Sequence, residues 1–256
     1  MSNEGAVIDN KSSRDQSLSK WIWFSSLLVA GAGTWFGITY PPITFPVPPE
    51  LAAVDANSSE KLRKLRAEKD AELLQKNVAF QFGWAGFFFG SVGLVSTLLS
   101  GNKRFGLALL TLLVGILAGV LAGCCGSLLR QLCDKGFLQG LVSEESRPLA
   151  GDSMVFAVTN VLLLLPVAFM ILFSRRNETT QKSVSVLLAG GLAGLLTPVV
   201  VTVLISFSVI LSESATDQFP PVGSPVITIW IVLLTLFAFL ASTLAGSPPE
   251  KVHVVS

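Results

Sequence analysis

Long apolar runs alternate along the chain with short polar breaks. Charge-free stretches cover about 21–40, 78–100, 105–126, 154–174, 184–212 and 225–245. Each is long enough to cross a hydrocarbon core about 30 Å thick. A lipid-exposed span must satisfy its own backbone hydrogen bonds, so these six are predicted helices. The ten-residue alternation of a membrane β-barrel does not occur. The pattern predicts an all-α, polytopic integral membrane helical bundle of six transmembrane helices. They form one domain over 21–245, between a polar N-terminal tail (1–20) and a short C-terminal tail (246–256). The polar lead is long and of mixed charge, and no small-x-small cleavage pattern follows the first span. That span therefore reads as an uncleaved anchor rather than a signal peptide.

Segment 41–77 breaks the pattern in two ways. "PPITFPVPPE" (41–50) is proline-dense, which predicts extended, partly polyproline II chain that cannot continue the first helix. Then "SSEKLRKLRAEKDAELLQK" (58–76) brings helix formers, a capping Ser58 or Ser59, and opposite charges four apart: Glu60 with Lys64, Lys64 with Glu68, Glu72 with Lys76. With no glycine or proline before Gly83, one continuous helix is predicted over 59–100, about 60 Å at 1.5 Å per residue. Its first half would stand out of the membrane as a charged stalk. The third span overruns too, keeping helical character until Asp134-Lys135-Gly136, where glycine can end it. Two overlong neighbours on one side would form an extramembrane antiparallel pair. Segment 137–153 reads as a loop on that same side.

Short loops set orientation through their Lys and Arg. "GNKR" (101–104) holds two basic residues and "RRNETTQKS" (175–183) three, whereas 213–224 holds none. Both basic loops, and with them both termini, are thus expected on the cytoplasmic side. Segment 41–77 pulls the other way with six basic residues, but six acidic ones accompany them.

Small residues recur at helical spacing. Gly115, Gly119 and Gly123 repeat every four positions, with Ala118 and Ala122 beside them, so one face of the third span is nearly smooth. That is the small-xxx-small (GxxxG) surface by which membrane helices approach closely. Gly86 and Gly90 in the second span, and Gly190 and Gly194 in the fifth, are candidates to meet it. The short "GNKR" turn favours the second span. The octets "ILAGVLAG" (116–123) and "LLAGGLAG" (187–194) each follow a short basic loop, as a duplicated hairpin would produce. Leu, Ala and Gly dominate membrane helices, however, and composition alone is the simpler account.

Composition narrows the chemistry. The chain is 51% hydrophobic and 14% charged, with a net charge of +1, which offers nothing to nucleic acid. None of the six predicted spans contains Asp, Glu, Lys, Arg or His, and the single His253 lies in the C-terminal tail. An intramembrane Ser–His hydrolase, a histidine-ligated haem and a carboxylate proton relay all lack their groups. Cys124, Cys125 and Cys133 make a poor thiolate site, because adjacent cysteines chelate one ion badly and a fourth ligand is missing. They read as small packing residues. No catalytic residue, cofactor or metal is expected. The aromatic-dense "FGWAGFFFG" (82–90) has no accompanying hydrogen-bond signature for a pigment or quinone.

Two readings of function follow. The first is a non-catalytic scaffold, assembly factor or accessory subunit of a membrane complex. Its partners would be the lipid bilayer and other membrane subunits or a second copy, reached through the glycine seams and helix 59–77. The second is a transporter or channel for a small, mostly neutral solute, with a path at Asn160, Thr197 and Pro198. There a proline break would open backbone carbonyls. The first is preferred, on the missing titratable groups, the glycine seams and the charged stalk; an uncharged amide such as Asn160 usually bonds a neighbouring helix.

Overall fold

The computed structural model describes residues 4–40, 45–55, 58–99, 105–174, 179–206, 219 and 225–246. The elements are α1 (Glu4–Thr39), α2 (Pro49–Ala52), α3 (Glu60–Leu99), α4 (Phe105–Asp134), α5 (Arg147–Ser174), α6 (Thr179–Ser206) and α7 (Pro225–Gly246), with no strand among the described residues. Five helices carry segments long and apolar enough to cross a membrane: Trp21–Thr39, Glu60–Leu98, Phe105–Asp134, Arg147–Phe173 and Ser183–Ser206. The apolar part of α7, Pro225–Ala241, is shorter. The chain is an all-α helical bundle of a multi-pass integral membrane protein.

The six long helices close a ring. Each of α3, α4, α5, α6 and α7 packs on the long helix before it, and α7 returns to α1, with α3 also touching α5 across the middle. The centre is filled rather than hollow. Phe82, Phe89, Leu163, Leu164, Val167 and Trp230 are all fully buried there. Leucines 109, 113, 117 and 121 of α4 point outward, the inversion of inside and outside that a lipid solvent permits.

Several boundaries differ from the sequence pattern, each for a local reason. Residues 4–20, expected as a polar tail, continue α1 as helix, since no breaker separates them from the apolar part. In the proline-rich segment Pro48 has polyproline geometry (φ −54°, ψ 138°), and Pro49 begins the short α2. Proline is well suited to a first helical turn, where its missing N–H would have no partner anyway. The expected loop 137–153 ends earlier than its composition suggests, because α5 starts at Arg147, with Pro148 again in a first turn. What remains is a tight connection with Gly136 at φ 89° and Gly140 at φ 84°. Gly136 ends α4 in a Schellman arrangement, with Phe137 N bonding Leu132 O and Gly136 N bonding Cys133 O, both at 3.0 Å. The expected loops 101–104 and 213–224 (apart from Phe219), residues 175–178, the end of the fifth span (207–212), 41–44 and the tail with His253 lie outside the described residues.

Candidate functional site

The glycine seam is formed by α3 and α4. A Cβ on Gly86 would run into the Gly115 carbonyl oxygen and lie 2.8 Å from Gly119 Cα. One on Gly90 would sit 3.0 Å from Gly115 Cα, and one on Gly123 2.9 Å from Val78 O. Backbone therefore lies against backbone over more than two turns. Gly190 and Gly194 do not reach this seam. Gly194 lies against the backbone of Phe156 and Ala157, and Gly190 against Leu164 and the Asn160 carbonyl, all on α5. In the two octets, then, Gly119 and Gly123 face the preceding helix α3, while Gly190 and Gly194 face their preceding helix α5.

Inside the ring, one polar node links α5 to α7. Trp230 Nε1 donates to Asn160 Oδ1 at 2.5 Å, and neither residue is exposed. Asn160 Nδ2 is buried with no hydrogen-bond partner. Rings enclose the pair. Trp230 lies 5.8 Å from Phe82 and 5.5 Å from Phe156, and Phe219 lies 5.6 Å from Phe82 and 5.7 Å from Phe156. Phe219 fits because Gly126 has no side chain; a Cβ there would be 2.7 Å from the ring's Cζ. The node thus joins α3, α4, α5 and α7. Charge composition could not reveal it, because an amide–indole bond spanning 70 residues leaves no periodic trace.

The three residues of the expected solute path do not converge. Thr197 Oγ1 bonds Ala193 O at 2.8 Å within its own helix, and Thr202 Oγ1 bonds Pro198 O at 2.9 Å. Ser153 Oγ bonds Leu195 O, which puts Pro198 near the level of Ser153 on α5. Asn160 is about 10 Å further along that helix at 1.5 Å per residue. Cys124, Cys125 and Cys133 are free and half-buried. No group of three or more His, Cys, Asp or Glu able to hold a metal occurs among the described residues.

The charged half of α3 is more elaborate than a bare helix. Ser59 caps α3 through Leu62 N at 3.4 Å, while Ser58 turns to Asp55. Lys64 pairs with Glu60 at 2.9 Å, and Glu72 takes both Lys69 (2.6 Å) and Lys76 (2.5 Å). Those two ammonium groups hold the Glu72 carboxyl at about 2, well below the usual carboxylate value. Segment 45–55 runs back along the stalk as a strap fixed at two points. Next to the apolar half of α3, Asn77 clamps the Phe45 backbone, accepting from its N–H at 2.7 Å and donating to its carbonyl at 3.2 Å. Further out, Arg66 Nη1 donates to Ala52 O at 3.1 Å and Val54 O at 2.6 Å. On α4, Arg130 bridges to Asp152 of α5 and to Asp134. The seam pairing puts the end of α4 about level with Lys69, so the first turns of α3 project beyond it by about 13 Å. Leu62 (43% exposed) and Leu65 (50%) sit on this projection. Comparison with family models, curated proteins and solved structures finds no match to the chain.

Proposed function

We propose that the chain is a non-catalytic multi-pass membrane protein serving as a scaffold, assembly factor or accessory subunit of a membrane complex. The observation that carries this reading is the fastened stalk. A charged helix that merely needed solvation would require neither a strap clamped by Asn77 and Arg66 nor leucines facing water. An ordered projection with exposed apolar side chains suits a surface that a partner covers. In this reading α7, 22 residues and about 33 Å long, is the sixth crossing. The basic loops then put both termini on the cytoplasmic side and the stalk on the other. The glycine seams hold the helices at fixed spacing, and the partner is another membrane subunit or a second copy.

A transporter or channel for a small neutral solute is the second reading, favoured by one observation, the unpartnered Asn160 amide nitrogen at the heart of the ring. Solute flux in proteoliposomes, run beside purification in mild detergent, separates the two. The scaffold reading expects a stable assembly and no flux above protein-free vesicles. Flux that Asn160→Leu abolishes would overturn it.

A further inference from the structure

Helices α1 and α7 leave an open groove between them. It is lined by Leu28, Gly31, Ala32, Trp35, Thr228, Ile231, Val232 and Thr235, with a volume of about 320 Å³. Its floor is smooth because Gly31 and Ala32 contribute almost no side chain. Its lower end lies at the middle of both helices, since Gly31 is central in the apolar stretch Trp21–Thr39 and Thr235 in Pro225–Gly246. Its upper end points toward the stalk side, where Trp35 Nε1 donates to Thr228 Oγ1 at 3.1 Å and the Trp35 ring meets Tyr40 at 6.1 Å. Leu28 and Val232 on its rim are exposed, so it opens sideways, into the bilayer.

We infer that this groove binds one acyl chain of a phospholipid from the stalk-side leaflet. Three features choose that occupant. The groove is continuous with the exposed apolar surface of both helices; Thr228 Oγ1 accepts from Trp35 at its exposed end, and Thr235 Oγ1 is buried against Gly31 without a hydrogen-bond partner. The accessible lining is nevertheless almost wholly apolar. The lined stretch covers eight residues of each helix, Leu28 to Trp35 and Thr228 to Thr235, about 10 Å at 1.5 Å per residue. Its volume suits a single chain over that length. Finally, the upper end reaches Tyr40, 59% exposed at the level where an aromatic phenol meets headgroups. A chain lying in the groove would bring its own headgroup there.

Trp35 reports directly on this site. The full-length protein in mild detergent is titrated with phosphatidylcholine brominated on its acyl chains, and tryptophan quenching is followed. Binding in the groove gives a saturable component at low lipid fraction. Trp35→Phe removes that component, and Ala32→Leu, which fills the groove from its exposed side, raises the half-saturating lipid fraction at least tenfold. Quenching that rises linearly and is identical in Ala32→Leu would overturn the proposal, because Trp35 would then be sensing ordinary boundary lipid. Saturation by a brominated sterol but not by the phospholipid would also overturn it. Thermal unfolding of Ala32→Leu beside the parent confirms that a changed titration reflects the groove and not the fold.

Discussion

A single hydrogen atom decides what the seam tolerates. At Gly119 the added methyl of alanine would meet the Phe82 carbonyl and the Gly86 backbone, neither of which can rotate away. Gly119→Ala is expected to cost about 1–3 kcal/mol, the usual range for overpacking. Gly106 has nothing within 4 Å of its would-be Cβ, so Gly106→Ala should be neutral or slightly stabilising. Unfolding of the two variants in the same detergent gives the comparison, and equal effects would mean that α3 and α4 are further apart. The Asn160–Trp230 bond is a second residue-scale feature. In a double-mutant cycle of Asn160→Leu and Trp230→Phe, the coupling should be about 0.6–1.7 kcal/mol, the range for hydrogen bonds between membrane helices. A coupling near zero would show that each side chain finds another partner when the first is lost.

Among the elements, the stalk is the most sensitive to solution conditions. Glu72 falls from an ordinary value of 4.5 to about 2 because Lys69 and Lys76 hydrogen-bond its charged form. A carboxyl depressed in the folded state adds stability that is fully present above pH 4.5 and lost as pH falls toward 2. Glu72 is open to solvent, so salt should weaken the effect. Limited proteolysis of the 58–76 region is expected to quicken across that acid window. Glu72→Gln should flatten the dependence, and an unchanged pH profile in that variant would remove the ion triad from the explanation. The same element shows where sequence reasoning stops. Uncharged runs, the i, i+4 charges and Gly136 made the helix and its overhanging neighbour legible, because those signals are local. The strap was not legible. Its anchors, Asn77 to Phe45 and Arg66 to Val54, join residues 32 and 12 apart through backbone groups that carry no side-chain signature.

For the whole molecule, the ring order and the filled centre follow from the distribution of small and large residues. Gly86, Gly115 and Gly119 could be read as a seam from spacing alone, and the short turn between the two helices names the neighbour. The meeting of Phe82, Phe156, Phe219 and Trp230 could not be read. Phe219 falls in a connection whose polar composition gives no hint that a ring packs into the bundle. By sequence Asn160 and Pro198 are both candidates for one solute path, yet Asn160 sits in that central node and Pro198, on α6, lies near the level of Ser153. A ring closed around packed aromatics, carrying a strapped projection with Leu62 and Leu65 outward, makes association the central expectation. The direct measurement is the mass of the particle extracted from its own membrane in mild detergent, for the native chain and for Leu62→Lys with Leu65→Lys. An assembly heavier than one chain, reduced to a single chain in the double variant with thermal unfolding unchanged, is the expected result. A native chain that is already a lone particle, or an assembly indifferent to both lysines, would contradict a stalk that docks a partner.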